Sequence, residues 1–261
     1  MIRNYRDLTR LEMEQVDREN TLVMIPLGAL EQHGNQAPLG TDDIIAEQMS
    51  KETVKQLSAI DPDFPMLVFP VIPVGLSTEH RNFCGSITFH PDTYYHILHD
   101  IVESLVHHGF KKIVFLVCHG GNAPIVSVLS RECRSEYGIE VFQISSGSFS
   151  DPRVMATVSK DNTFDFHGGE METSMVMAVD ESIVHLETSV AGHKKGFVFD
   201  RELSKHGASM NWVSEDWVDE KGNPIGIGGD PKGASAKKGQ IIYEVSAEHI
   251  AKALLHIAGR D

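Results

Sequence analysis

Short apolar runs of strand length alternate with helix-like segments along the chain, and this alternation most constrains the fold. The apolar runs are TLVMIPLG (21–28), PMLVFPVIPVG (65–75), KKIVFLVC (111–118) and IEVFQISS (139–146). Segments with helical spacing of apolar residues lie between them, at 41–57, 91–109 and 124–137. Strands that alternate with helices build a mainly parallel sheet covered on both faces. The sequence therefore predicts an α/β fold, a three-layer α/β/α arrangement with a mostly parallel central sheet.

The length of 261 residues suits one α/β domain. The segment from Gly192 to Gly239 is rich in glycine and lysine with little periodicity, so it is predicted to form loops that cover a site. No repeat, low-complexity tract or change in composition marks a boundary. We therefore expect a single domain over residues 1–261.

The charge of the chain argues against some partners. Its formal net charge is -14, which disfavours nucleic acid and anionic membrane surfaces as partners. The longest apolar runs fall short of the roughly 18 residues that span a bilayer, and residues 1–15 lack a signal-peptide core. The three cysteines match no thiolate metal motif. We expect a cytoplasmic protein that acts on a small molecule.

A group of possible metal ligands follows the predicted strands. Glu31 and His33 stand two residues apart after the first apolar run, so in extended backbone they project to one side. Asp42 lies in the first turn of the next helix, and His119 follows the strand KKIVFLVC directly. Ligands of open α/β sheets bind beyond the carboxyl ends of the strands, where these residues would meet.

A distant segment, FHGGEMETS, adds His167, Glu170 and Glu172. Mixed imidazole and carboxylate ligands suit Zn²⁺, Mn²⁺ or Fe²⁺, and the absence of paired thiolates argues against a closed structural zinc site. Each residue also has a structural interpretation: Asp42 as a helix cap, His119 as a structural histidine, and Glu170 or Glu172 as a solvated helix start. Glu172 is the more structural of the two glutamates in this interpretation.

The loop LSTEHRNFCGSITF after the second apolar run offers groups for substrate binding. Ser77 and His80 are predicted to orient the substrate, whereas Glu79 has a structural alternative of equal weight. Asn122 is predicted to fix its own loop by hydrogen bonds to the backbone. Trp212 and Trp217 could line the pocket, but large aromatic residues in a loop more often pack in the core or at a subunit contact, so they are left outside the predicted site.

Five blocks of the sequence resemble the creatininase (creatinine amidohydrolase) family, in the family's order: LGALEQHGNQAPLGTD, GLSTEHRNFCGSITF, CHGGN, HGGEMETS and GIGGDPKGASAKKG. The resemblance implies a compact α/β fold, two divalent metal ions (Zn, Mn or Fe) and a homo-oligomer, usually a hexamer. It implies that Glu31 and His119 hold one ion, that His33 holds the other, and that Asp42 bridges them. His167 matches the catalytic histidine of the family.

One position departs from the family pattern. Creatininase has a glutamate two residues after the histidine of the HGGN block, where this chain has Gly121. The departure argues against creatinine as the substrate. As in relatives with this block, the missing carboxylate is predicted to come from Glu170 as the fifth metal ligand.

These features predict hydrolysis of a C–N bond in a cyclic amide or formamide by water activated between two metal ions. His167 would carry a proton to the leaving nitrogen. Ring-opening hydrolysis of a carbocyclic ketone such as an inosose is the alternative at the same site. A serine or cysteine hydrolase is disfavoured because Cys118 adjoins a buried strand end and no G-x-S-x-G motif occurs. A non-catalytic, metal-stabilised binding protein is a further alternative, which the presence of His167 beside the ligands argues against.

Overall fold

The structure is a computed structural model that describes residues 1–147, 150–160 and 164–260. Its strands are β1 (Ile2–Asn4), β2 (Leu22–Leu27), β3 (Met66–Val68), β4 (Lys112–Val117), β5 (Glu140–Ser145), β6 (His193–Lys194) and β7 (Trp217–Val218). Its α-helices are α1 (Arg10–Glu14), α2 (Thr41–Ile60), α3 (Pro91–His107), α4 (Ala123–Tyr137), α5 (Pro152–Met155), α6 (Glu170–Val179), α7 (Arg201–Lys205) and α8 (Ala236–Ile257).

Five strands form the central sheet in the order β1-β3-β2-β4-β5, and every pairing in it is parallel. Strands β2 and β4 pair at its centre, from Leu22 opposite Lys112 to Leu27 opposite Val117. Their carboxyl ends therefore lie side by side at one edge of the sheet. This arrangement confirms the predicted mostly parallel sheet.

Alternate residues of the central strands point to opposite faces, and each face carries its own helices. Met24 and Val114 pack in a core with residues of α2, α6 and α8. Ile25 and Phe115 pack in a second core with residues of α3 and α4. Because both faces of the sheet are covered, its central strands are apolar throughout rather than alternating in polarity. The predicted three-layer architecture is confirmed.

The helices that follow the central strands begin where their sequences predict. Helix α2 starts at Thr41 as expected and extends to Ile60, and α4 covers the predicted 124–137 segment. The second apolar run differs, since only Met66–Val68 forms a strand. Pro70 and Pro73 interrupt that run because proline has no N–H for a ladder hydrogen bond.

The segment from Gly192 to Gly239 contains the two-residue strands β6 and β7, the short helix α7 and the first turn of α8. Much of the rest of it is irregular, as predicted, and part of it covers the carboxyl edge of the sheet through the isolated pairing of Gly228 with His167. Among the described residues, no helix is both long and apolar enough to cross a membrane.

Candidate metal centre

The candidate metal centre lies at the carboxyl edge of the sheet, in the loops after β2 and β4. Asn122 joins these loops: its side chain accepts a hydrogen bond from Leu76 N at 2.9 Å and donates one to Gly28 O at 2.9 Å. These bonds match the structural role expected for Asn122. They hold together the loops that carry the candidate ligands.

The first group of ligand atoms surrounds His119. Its Nδ1 lies 3.3 Å from Glu31 Oε1 and 3.4 Å from Asp42 Oδ2. All three side chains are buried, with 6%, 0% and 2% of their surface exposed. Two carboxylates and one imidazole therefore converge where water has little access.

A second group surrounds His33. Its Nε2 lies 3.6 Å from Asp42 Oδ1 and 3.7 Å from Glu172 Oε2. Ligand atoms bound at about 2.0–2.2 Å in a tetrahedral site are roughly 3.3–3.6 Å from one another. The spacing in both groups is close to that range, and Asp42 contributes one oxygen to each group.

Several buried atoms of these groups and of the adjacent His80 have no hydrogen-bond partner among the described residues. They are both carboxylate oxygens of Glu31, Oδ2 of Asp42, Nε2 of His33 and Nε2 of His80. Leaving buried polar atoms unpaired costs about 1–3 kcal/mol each. A bound cation would satisfy them together, so the donor set fits a divalent metal ion.

The backbone sets which imidazole nitrogens are available to an ion. His119 Nε2 donates to Leu76 O at 2.6 Å, and His33 Nδ1 donates to Glu31 O at 3.2 Å, since a carbonyl oxygen only accepts. When the rings are neutral, their lone pairs are therefore on His119 Nδ1 and His33 Nε2, the nitrogens that face the carboxylates. Such bonds fix the tautomer and orientation of metal-ligating histidines.

The structure places the two glutamates of HGGEMETS in different surroundings. Glu170 pairs with Lys238 and accepts hydrogen bonds from Ser159 N at 3.0 Å and Ser159 Oγ at 2.8 Å. Residues two apart on a helix point about 200° apart, so Glu170 and Glu172 face different neighbours at the start of α6. Glu172 faces His33, and Glu170, the predicted fifth ligand, lies in a separate ion pair.

The charges of the centre depend on these contacts. Burial opposes ionisation of Glu31, but the neighbouring His119 outweighs it and holds the pKa of Glu31 well below its usual range. Burial would also lower the pKa of His33, yet Asp42 raises it to about 9. Glu31 and Asp42 likewise raise the pKa of His119 well above its usual range against the effect of burial. Burial raises the pKa of Glu172 to about 7 although His33 opposes the shift.

His167 lies at the same centre but differs from His33 and His119 in protonation. Its Nε2 donates to Gln32 O at 2.9 Å, and its Nδ1 lies 3.7 Å from Glu31 Oε1. Burial and the imidazoles of His33 and His80 hold the pKa of His167 well below its usual range. His167 is therefore neutral, with a lone pair on Nδ1 that can accept a proton or bind an ion.

The turn after His167 depends on a glycine. Gly168 has φ +63°, and a Cβ there would lie 2.5 Å from the Ile227 side chain and 3.1 Å from the His33 carbonyl carbon. The backbone of the FHGGE segment thus approaches the His33 loop too closely for a larger residue. This close approach brings His167 beside ligands that precede it by more than 130 positions.

The two predicted substrate-binding residues have different surroundings. His80 is buried and lines the cavity beside the centre; its Nε2 lies 3.1 Å from Glu31 Oε1 and its Nδ1 2.6 Å from Ser214 Oγ. Ser77 is fully buried, its Oγ has no hydrogen-bond partner among the described residues, and it is not among the residues that line the cavity. The structure therefore places His80 on the cavity, whereas Ser77 is buried and is not among its lining residues.

The Gln32 side chain makes contacts at the site that the sequence patterns did not identify. Its Nε2 lies 2.9 Å from His80 Nδ1 and donates to Gly226 O at 2.6 Å, while its Oε1 accepts from Gly34 N at 2.9 Å. Gln32 thereby ties the ligand loop to the distant segment that covers the site. Its position between Glu31 and His33 was a signal for such a role.

A cavity of about 620 Å³ opens beside the centre. Asp42, His119, His167 and Glu172 line it together with Trp212, which lies outside the predicted site. The Trp212 ring centroid is 5.2 Å from His80 and 5.9 Å from His167. No local pattern marks Trp212 as a site residue, because it reaches the cavity only through the fold of a long irregular segment.

Gly121, the position where this chain departs from the creatininase pattern, also lines this cavity. A Cβ at Gly121 would come within 2.3 Å of Leu76 O and 2.7 Å of Glu79 Oε1. Backbone therefore occupies the space that a side chain at position 121 would need. The loop conformation agrees with the glycine found here and leaves no room for a glutamate.

Comparisons with known proteins identify similar chains. The profile of the creatininase family, described as creatinine amidohydrolase, matches residues 6–254. Creatinine amidohydrolase of Pseudomonas putida is 26% identical over 95% of this chain and 94% of its own. Mycofactocin precursor peptide peptidase of Mycobacterium ulcerans is 28% identical over 85% of this chain and 79% of its own.

A solved structure of a mutant creatininase, described as a Zn-Zn type, shares the fold. Its TM-score is 0.73 at 24% identity, and the likeness covers 97% of each chain. At this level of identity the likeness concerns the arrangement of helices and strands.

Proposed function

This chain belongs to the creatininase family, and we propose that it is a metal-dependent hydrolase that cleaves a C–N bond of a cyclic amide or formamide with activated water. The main support is that buried atoms of Glu31, His33 and Asp42 have no hydrogen-bond partner in the described part of the chain, a donor set that fits a divalent cation. The Pseudomonas relative is described as an amidohydrolase and the Mycobacterium relative as a peptidase, and both descriptions concern C–N bonds.

The candidate ligands divide into two sets that share Asp42. Glu31 and His119 would hold one ion, His33 and Glu172 the other, and each oxygen of Asp42 faces one set. Divalent ions bound there would lower the pKa of water and polarise a carbonyl oxygen. We propose two ions, as the Zn-Zn description of the related structure suggests.

His167 is the proposed proton carrier. Its neutral imidazole lines the cavity with the Nδ1 lone pair facing the centre, so it can take a proton from the attacking water. The resulting imidazolium can then deliver that proton to the leaving nitrogen. The bond from His167 Nε2 to Gln32 O holds the ring in the tautomer that this sequence requires.

His80 would orient the substrate or the ring of His167, whose centroid is 4.2 Å from its own. Ser77 has no direct contact with the cavity, so any effect on the substrate would act through the loop that it packs in. A homo-oligomer, hexameric by family resemblance, and a cytoplasmic location stay predictions.

The test combines metal analysis with turnover. Protein purified without chelators is analysed for metal per chain, loaded with Zn²⁺ or Mn²⁺, and assayed with cyclic amides, formamides, short peptides and carbocyclic ketones. His167→Ala should keep the metal content of the wild type and lose turnover at least about 100-fold. Ketone opening without amide cleavage would favour the inosose alternative, and a chain that binds no metal would refute the proposal.

A further inference from the structure

We propose that the outer edge of β5 is a docking surface for an extended, acidic peptide segment of a partner protein. This surface lies at one side of the central sheet and combines an unpaired strand edge with a groove that two arginines line. None of the residues that line the groove is a candidate metal ligand or lines the cavity beside the metal centre. The inference is therefore independent of the proposed hydrolysis.

Strand β5 is the last strand of the sheet, so only one of its edges pairs with a neighbour. The N–H groups of Glu140 and Ser146 donate to carbonyl oxygens on the β4 side at 2.8 and 3.0 Å, so the backbone groups of the even-numbered residues point to β4. Because successive residues of a strand alternate in direction, the N–H and C=O groups of Val141, Gln143 and Ser145 point outward. Among the described residues, no other backbone group pairs with them. Such an edge is a template for one more strand.

A groove of about 730 Å³ lies beside this edge, between β5 and α4. Val141 and Gln143 line it from the strand, and Ser127, Arg131 and Arg134 line it from the helix. The three helix residues are spaced four and three positions apart, so they share one face of α4. An added strand would therefore gain side-chain contacts with α4 on one of its faces as well as main-chain bonds with β5.

The groove is positively charged although the chain as a whole has a formal net charge of -14. Arg131 and Arg134 are exposed, and within the described ranges neither forms an ion pair with a carboxylate. Among the described residues that line the groove, Glu140 is the only carboxylate, and its Oε2 lies 3.9 Å from Lys112 Nζ, which offsets its charge. Arginine binds carboxylates through two parallel hydrogen bonds. The charge of the groove therefore favours an acidic occupant.

A second copy of this chain suits the edge less well. Two β5 edges that pair antiparallel are related by a two-fold axis perpendicular to the sheet, which keeps both α4 helices on the same side. Arg131 and Arg134 of each copy would then face those of the other copy across a shared groove, where like charges repel. An acidic peptide makes the same main-chain bonds and brings the opposite charge.

Four peptides test the main-chain bonds and the charge separately. The first is a fluorescein-labelled hexapeptide of alternating valine and glutamate with blocked ends, whose carboxylates share one face of an extended strand. Two matched peptides carry glutamine or lysine in place of glutamate, and the fourth is the glutamate peptide with every backbone amide N-methylated, which removes its N–H donors. The glutamate peptide should bind at least about tenfold more tightly than each of the others, and added salt should weaken it. Fluorescence anisotropy with the full chain measures the four affinities.

Variants of the chain locate the binding. Arg131→Gln combined with Arg134→Gln should weaken binding of the glutamate peptide at least about fivefold, to the level of the glutamine peptide. Gln143→Pro should weaken it at least about tenfold, because proline removes an outward N–H while the bonds to β4 come from the neighbouring residues. Arg201→Gln is the control, since Arg201 is exposed and does not line the groove, and it should leave the affinity unchanged. Thermal unfolding shows whether each variant is folded.

Several results would overturn the proposal. Equal binding of the glutamate, glutamine and lysine peptides would refute recognition by charge, and equal binding of the N-methylated peptide would refute strand addition. Failure of the glutamate peptide to bind would overturn the proposal as a whole. Analytical ultracentrifugation of Gln143→Pro then shows the reason: a smaller assembly than that of the wild type means that a second copy occupies the edge. Metal content should be the same in all variants, so a failure of the proposed hydrolysis does not affect this test.

Discussion

Asp42 divides its carboxylate between two histidines: Oδ1 lies 3.6 Å from His33 Nε2, and Oδ2 lies 3.4 Å from His119 Nδ1. The side chain is 2% exposed, and it stands in the first turn of α2, which begins at the carboxyl edge of the sheet. One residue thus links a ligand loop after β2 with a ligand loop after β4. This position is what a ligand shared by two ions requires.

Replacing Asp42 should therefore disrupt both proposed ion sites together. Asp42→Asn keeps the shape of the side chain but replaces one oxygen by an NH₂ group, which cannot bind a cation. We expect the metal content per chain to fall by more than about half. Elemental analysis of protein loaded with Zn²⁺ measures it.

Asp43→Asn is the matched control, because Asp43 is the next residue of the same helix turn and does not line the cavity. Its metal content should equal that of the wild type. Equal metal content in the Asp42 and Asp43 variants would contradict the bridging role.

Glu172→Gln should weaken metal binding by at least about tenfold with little change in stability. Glu172 is a partly buried residue whose carboxylate faces His33, and the amide can still accept the hydrogen bond from Gly168 N. Competition with a chelating dye measures the affinity. An unchanged affinity would remove Glu172 from the proposed ligand set.

Glu170→Gln should have the opposite effects. Its carboxylate pairs with Lys238 and bonds Ser159, and its loss leaves the ammonium group without its counter-charge. We expect the free energy of unfolding to fall by about 1–3 kcal/mol while zinc affinity is retained. Urea denaturation with and without zinc distinguishes the two glutamates. A loss of zinc affinity in Glu170→Gln with unchanged stability would instead support the prediction that Glu170 is the fifth metal ligand.

Metal binding should release protons near neutral pH. In the metal-free protein the pKa of His33 is raised to about 9 by Asp42 against burial, and that of His119 is raised well above its usual range. Both rings are therefore protonated at about pH 7 and must lose a proton to bind a cation. Affinity should fall as pH drops from about 9 to about 6, by up to about tenfold per unit for each proton released.

Calorimetry at about pH 7 in buffers of different ionisation enthalpy measures the proton count, which we expect to be about two. His33→Ala should reduce the count by about one. A heat of binding that does not depend on the buffer would show that the two rings are neutral before the ion arrives.

Gly121→Ala should damage the centre although it adds a single methyl group. The new Cβ would lie 2.3 Å from Leu76 O, the acceptor of the His119 hydrogen bond. We expect the free energy of unfolding to fall by about 1–3 kcal/mol and the metal content to decrease. Gly120→Ala is the control, because a Cβ there has nothing within 4 Å. If both variants behave alike, the close approach at Gly121 does not position His119.

Much of the central fold was predictable because its signals are local. Apolar runs and helical spacing marked β2, α2, β4, α4 and β5, and the parallel pairing followed from their alternation. The candidate ligands Glu31, His33, Asp42 and His119 were predictable for a related reason. Each lies within a few residues of a strand end or helix start, and parallel strands bring their carboxyl ends to one edge.

The sequence by itself thus determined the sheet, the edge at which the site forms and four of the residues that converge there. Only the tertiary structure decided that Glu172 faces His33 while Glu170 pairs with Lys238, that Ser77 is not among the residues lining the cavity, and that Trp212 lines it. The choice between the glutamates depends on the rotation of α6, and the positions of Ser77 and Trp212 depend on irregular loops. Periodicity does not encode these, since contacts between residues far apart in the chain set them.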